Sequence, residues 1–195
     1  EGANLSQGMQ GAPGAIDHAW AVDGALEVHT IGGAAPKGIC GSGVADVLAG
    51  LLELGKLDES GLLDDGEDAW PLAPGVALTQ GDVRQVQLAK SAVRAGMETL
   101  MARSGLAPED VAELAIAGGF GSYLSLDSAA AIGLIPPGLK PRCRVLGNAA
   151  LAGAAMLLHS RPLLAESAAL ADAAVTADLA TDPIFMEQYV EQMMF

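Results

Sequence analysis

Apolar residues in this chain gather in short runs separated by glycine, proline and acid, and their spacing predicts the elements one by one. In AIDHAWAVDGALEVHTI two apolar-rich arms flank Asp23-Gly24, a strong signal for a two-residue hairpin loop. Such a loop sets Val22 opposite Ala25, Trp20 opposite Glu27, His18 opposite His29 and Ile16 opposite Ile31. In PKGICGSGVADVLAGLLELGKLD, residues Val44, Val47, Leu48, Leu51 and Leu52 recur at helical spacing, with Ser42 as the expected N-cap and Gly55 just past the end. The acidic, breaker-rich DESGLLDDGEDAWPLAPG then reads as loop. Its Asp64, Asp65, Glu67 and Asp68 lack the spacing of a calcium loop. A long helix is predicted from LTQGDVRQVQLAKSAVRAGMETLMARSG. Thr79 caps it, Asp82 favours its first turn, Val86, Ala89, Val93, Met97 and Leu100 form the expected buried stripe, and Gly105 ends it.

Beyond Gly105 the elements are shorter. LAPEDVAEL gives a helical turn near Pro108, LAIA a strand over Leu114–Ala117, and SLDSAAAIGLIPP a short helix stopped by Pro136 and Pro137. RCRVLGNAALAGAAMLLHS reads as strand, turn and helix. The tail predicts a helix over about 162–175, a short strand and a last helix ending in EQMMF. Hairpin, helices and then strand–helix–strand–helix make an α/β chain whose later strands run parallel, because helices separate them.

Composition narrows the picture. At roughly 150 residues per domain, 195 residues allow one substantial domain or two small ones. Half of the chain is apolar, yet it holds only three Phe, two Tyr and two Trp, so the core must be Ala, Leu, Val and Gly in close helix–sheet contact. A net charge of −14 repels phosphodiester backbones and argues against nucleic acid as a partner. No apolar run approaches the roughly 20 residues of a membrane helix. Two distant cysteines form neither a ligand cluster nor a disulfide framework, which favours a reducing cytoplasm. Cys40 and Cys143 read as small buried side chains rather than redox groups, and His18 and His29 as a solvent- or partner-facing pair rather than metal ligands. The opening EGANLSQGMQGAPGAI is polar, Gly-rich and without Met or a helix start. It is expected to be part of a longer polypeptide, a trimmed complete domain being the alternative.

No nucleophile elbow, P-loop or CxxC occurs. The chemistry available is in three Gly-rich turns opening onto helices: GICGSG, IAGGFGSY and VLGNAALAGAA. In open α/β sheets ligands sit outside the carboxyl ends of strands. Missing Cβ atoms let a ring or ribose touch the main chain, and helix N-termini offer N–H groups to anions. Such turns serve either close packing or a nucleotide.

ARSGLAPEDVAELAIAGGFGSY resembles the adenosine-binding segment of the acetate-and-sugar-kinase, chaperone and actin ATPase (ASKHA) superfamily. Together with EGANLSQGMQGAPGAI, ICGSGVADVL, LTQGDVRQVQLAKSAVRAGMETL, AGGFGSYLSLDSAAAIGLIPP and VLGNAALAGAA, it resembles the C-terminal region of the reductive activators of corrinoid proteins. The similarity follows the same order along almost the whole chain. It implies a ribonuclease H-like, actin-like half with a hairpin and mixed sheet flanked by helices, and an all-helical insertion over roughly 42–78. Gly118, Gly119, Phe120, Gly121 and Ser122 match the adenosine turn, Ser122 standing where many relatives have Asn. Gly41, Ser42 and Gly43 match the Gly-rich turn near the nucleotide, and Gly147 and Asn148 the last helix start, where a helix cap is the alternative for Asn148.

The same resemblance implies use of ATP with Mg2+ to drive one electron onto Co(II) of a corrinoid protein, giving Co(I) for methyl transfer. The electron-carrying [2Fe-2S] ferredoxin domain would precede this chain. No Asp-x-Gly-Thr phosphate loop and no ferredoxin cysteines occur in these residues, so the chain is expected to hold most of the second half minus its first strand, and not to be catalytic by itself. A homodimer stays open, as do two other readings: half of another ASKHA ATPase or kinase, and a non-catalytic interaction module.

Overall fold

A computed structural model describes residues 4–64 and 67–195, so Asp65 of the acidic loop lies outside the described residues. The hairpin forms where Asp23-Gly24 predicts it. Strands β1 (Ala15–Val22) and β2 (Ala25–Thr30) pair antiparallel, and both loop residues take positive φ, 49° and 81°, as a two-residue turn requires. His18 faces His29 and Trp20 faces Glu27. Asp17 is an extra residue between Ile16 and His18, so Ile16 pairs with Thr30 instead of the expected Ile31. Strand β3 (Gly38–Ile39) runs parallel to β1 on its other side.

Helix α1 (Gly41–Glu53) lies on β1 and buries Val44, Val47, Leu48 and Leu51, with Gly55 at φ 64° just past its end. It starts one residue before the expected N-cap. Cys40 precedes it in extended conformation, while Ser42 sits in the first turn and its hydroxyl donates to the Asp17 carbonyl at 3.2 Å. The segment 42–78 is not all-helical. Trp70, Leu72, Val76 and Leu78 alternate about Pro74-Gly75 and form an antiparallel pair, β4 (Ala69–Ala73) and β5 (Val76–Thr79).

Helix α2 (Gln80–Arg103) opens with a reciprocal cap: Thr79 Oγ1 accepts from Asp82 N at 3.0 Å and Asp82 Oδ2 from Thr79 N at 2.9 Å. Its buried face is turned from the expected one, with Val86 and Met97 still packed at the edge of the core. Val93 and Leu100 are half exposed and Ala89 is exposed, while Asp82, Val83, Gln87, Lys90, Ser91, Ala95 and Thr99 are buried. The reason is the C-terminal segment. Helix α7 (Pro183–Glu191) packs on α2, and the residues after it accept from the polar face: Met193 O from Gln87 Nε2 at 3.0 Å, and Met194 O from Lys90 Nζ, over which the Phe195 ring lies at 5.1 Å. Backbone carbonyls satisfy what an apolar stripe would otherwise have filled.

Strands β6 (Leu114–Ala117) and β7 (Cys143–Gly147) pair in parallel, as expected. Between them come α3 (Gly119–Tyr123), α4 (Leu126–Ala131) capped by Ser125, and a 3-10 segment over Pro137–Arg142. After β7 follow α5 (Ala149–His159) and α6 (Arg161–Ala173). The expected tail strand is absent among the described residues, and the last helix stops at Glu191, the first residue of EQMMF. One apolar core runs through Ile16, Ile39, Leu48, Leu51, Leu78 and Ile132.

Candidate functional site

Strand β6 leaves its sheet through Gly118, whose φ of 106° and ψ of 167° fall in a region nearly reserved for glycine. Its N–H donates to Gly147 O at 2.8 Å, which ties the second and third glycine turns together. The short α3 then swings the Phe120 ring over the start of α1. A Cβ on Gly41 would come within 2.8 Å of that ring, so glycine is what lets the two turns meet. They enclose one cavity of about 640 Å³, lined by Gly41, Ser42, Gly119 and Phe120 together with Gln10, Asp17, Ile31, Cys40 and Tyr123. Behind Phe120 lies a second, apolar groove of about 320 Å³, bordered by Leu5, Val86, Ala89, Val93 and Leu134. Val86, Ala89 and Val93 of the expected α2 stripe border this groove, while Val86 and Met97 also pack against the edge of the core.

The other candidate residues shape the turns without lining the cavity. Gly121 packs on Ile116, and the Ser122 hydroxyl donates to Gly118 O at 2.9 Å. Gly43 is buried against the Ile16 carbonyl and lets α1 approach β1. Asn148 is exposed and caps α5, its Oδ1 accepting from Leu151 N at 3.0 Å.

Sequence reasoning missed Asp17, Tyr123 and Gln10. Tyr123 carried a signal, since it closes GGFGSY at the spacing of one helical turn from Gly119. Asp17 did not, because only the bulge in β1 makes it differ from its neighbours. Among the described lining residues Asp17 is the only charged one, and His29 Nδ1 donates to its Oδ1 at 2.7 Å. His18 Nδ1 lies 2.9 Å from Asp46 Oδ2, so each imidazole of the facing pair is engaged by a carboxylate. No group of three or more His, Cys, Asp or Glu able to hold a metal occurs among the described residues. Cys40 Sγ donates to Ile16 O at 3.3 Å, and burial pushes the Cys143 thiol above its usual value, so both behave as packed thiols.

The cavity offers aromatic faces, glycine backbone, hydroxyls and the N-terminal N–H groups of α1, the means to hold a flat base and an anionic tail. An α/β chain whose glycine turns open together on such a cleft defines an ASKHA-type, ATPase-like half. Over residues 1–195 the chain matches the family described as the C-terminal domain of RACo, the ASKHA domain, and it belongs to that family. It is 34% identical over 221 residues to the corrinoid activation enzyme RamQ of Eubacterium limosum, covering 100% of this chain and 37% of that protein. Identity is 29% over 180 residues to the [Co(II) methylated amine-specific corrinoid protein] reductase of Methanosarcina barkeri, covering 81% of this chain and 33% of that protein. The solved structure of a reductive activator for corrinoid, iron-sulfur protein superposes with a TM-score of 0.86 at 32% identity, over 100% of this chain and 34% of that one. The chain thus spans about a third of the length of these relatives.

Proposed function

We propose that this chain forms the adenosine side of the nucleotide cleft in an ATP-dependent reductive activator, which returns a Co(II) corrinoid protein to Co(I) for methyl transfer. The observation that carries the reading is the meeting of the Gly41–Gly43 and Gly118–Ser122 turns around Phe120 in one cavity. The names of the relatives, a corrinoid activation enzyme and a reductase of a Co(II) corrinoid protein, support the direction of the chemistry. In this reading Phe120 and Tyr123 flank the base, Gly119 presents bare backbone to the ribose, Gly118 sets the turn that places it, and the first N–H groups of α1 face the phosphates. Asn148 contributes through its cap, by fixing where α5 begins.

ATP enters with Mg2+, which supplies charge neutralisation when bound. A reduced [2Fe-2S] cluster, held outside these residues, would supply the single electron that takes the corrinoid substrate from Co(II) to Co(I). The chain takes the C-terminal part of the ASKHA half, and its partner is the corrinoid protein of a methyltransferase system. We place it in the cytoplasm on its two unpaired thiols. No helix among the described residues is long and apolar enough to cross a membrane. A homodimer is testable by sizing the protein in solution.

The test uses the protein in its full reading frame, with a chemical reductant and a Co(II) corrinoid protein, following the Co(I) absorbance. ATP is expected to be required, and Gly119→Val to slow cobalt reduction by about tenfold or more through lost nucleotide affinity. ATP turnover without any cobalt reduction would favour another ASKHA ATPase. Cobalt reduction indifferent to both ATP and Gly119→Val would overturn the cleft assignment.

A further inference from the structure

The facing histidines of the hairpin have no part in the nucleotide reading, and both are built the same way. His18 and His29 are directly opposed on β1 and β2, with ring centres 6.3 Å apart and planes tilted by 43°. Behind each ring stands a carboxylate: Asp46 Oδ2 accepts from His18 Nδ1 at 2.9 Å, and Asp17 Oδ1 accepts from His29 Nδ1 at 2.7 Å. A ring that gives its Nδ1 proton to a carboxylate keeps a lone pair on Nε2. Both side chains are open to solvent, 44% and 53% exposed. Asp46 is buried on α1, and its Oδ1 has no hydrogen-bond partner among the described residues, so its charge is met from one side only. Glu27, two residues before His29 on the same face of β2, adds negative charge to that face. Neutral imidazoles backed by carboxylates favour a cation.

We propose that His18 and His29 together hold a late-transition-metal dication, of the class of Ni2+, Cu2+ and Zn2+, through their two Nε2 atoms. The site is independent of the nucleotide cleft's function. Imidazole nitrogen suits these ions, and a ligating histidine almost always gives its other ring N–H to a carboxylate or a similar acceptor, as both rings do here. A metal–nitrogen bond of about 2.0–2.1 Å puts a ring centre roughly 3.2 Å from the ion, so two rings on one ion have centres up to roughly 6.4 Å apart. The separation of 6.3 Å is at the wide end of that range. A tetrahedral ion draws the rings together by about 1 Å, a shift open to half-exposed side chains. No group of three or more His, Cys, Asp or Glu able to hold a metal occurs among the described residues, so water takes the remaining positions. Sequence alone reads the pair as facing solvent or a partner. What the folded chain adds is the carboxylate behind each ring, one from the β1 bulge and one from α1.

The experiment is equilibrium dialysis of Ni2+ against the protein in its full reading frame, in excess Mg2+, with bound nickel counted per chain. Thermal melts of each variant check folding. His18→Gln and His29→Gln are each expected to weaken one site by about tenfold or more, and so to bind one ion fewer per chain below saturation of the weakened site. The double variant loses that same ion and no other. Asp46→Asn keeps both rings and removes the charge behind His18, and it is expected to weaken the site by about tenfold. His159→Gln, at the third histidine of the chain, leaves binding unchanged. Equal nickel binding by the unaltered protein and by His29→Gln would overturn the proposal. So would a double variant that loses two ions per chain, the mark of two imidazoles each binding alone.

Discussion

Two regions of this molecule are built from the same Ala, Leu, Val and Gly and end up differently. Around β1 and α1 the apolar residues close on one another: Ile16, Val47, Leu48 and Leu51 are fully buried where α1 packs on the hairpin and on α4. Around β6 and β7 they do not. Helices α5 and α6 pack chiefly on each other and bury no residue, while Val145, Leu146, Leu158 and Leu170 stand in solvent. The difference lies in the sheets. An antiparallel hairpin needs one covered face, which α1 supplies, whereas a parallel pair is normally buried on both faces and two strands alone are a poor platform. Apolar content therefore predicts an element without saying what it buries against. The cleft sits on the border, taking Gly41 from the closed region and Gly119 and Phe120 from the open one.

The largest expected effect separates the regions directly. Leu51→Ala should destabilise the chain by about 3 kcal/mol in urea unfolding, whereas Leu158→Ala should change it by less than about 0.5 kcal/mol. Equal losses would mean that the open region is as well packed as the closed one.

Next in size is Asp82. Burial pushes its carboxyl up, but hydrogen bonds from Ser6 and Thr79 outweigh this and hold it below its ordinary 3.8. Ser6 N and Oγ both reach it at 2.6 Å, so one side chain ties the N-terminal segment to the α2 cap. Asp82→Ala is expected to cost about 2 kcal/mol at pH 7. Because the folded-state value is depressed, that contribution is present above pH 3.8 and lost as pH falls through the folded value. The variant should show less acid sensitivity than the parent.

A comparable but purely pH-dependent effect comes from Lys90. Burial, with Arg94 adding like charge, lowers its pKa from 10.5 to about 8. The folded chain then binds fewer protons than the unfolded one between those values, so stability should rise with pH across that window. The gain is about 2 kcal/mol between roughly pH 7 and 9.5. In Lys90→Met the rise should be absent. A parent that loses stability over this range would show that Lys90 stays charged without strain.

Most of the elements could be read from the chain because their signals are local. Asp23-Gly24 fixes the hairpin loop, Thr79 and Asp82 cap α2, and Leu114–Ala117 is a strand with the boundaries its apolar run suggested. What could not be read depends on partners far along the sequence. The buried face of α2 is turned from the expected stripe because Gln87 and Lys90 find carbonyls at Met193 and Met194, and nothing near residue 90 announces them. Pro74-Gly75 was a visible turn, yet the surrounding acids masked the β4–β5 hairpin. Of the cleft, the glycines were legible because bare backbone is a sequence property. Asp17 was not, because a bulge is a property of two strands together.

The most direct test of the account is amide hydrogen exchange of the protein in its full reading frame, with and without a non-hydrolysable ATP analogue and Mg2+. The account predicts slowed exchange concentrated at residues 40–43 and 118–123, with α5 and α6 unchanged. Saturating nucleotide binding that leaves both glycine turns unprotected would contradict it.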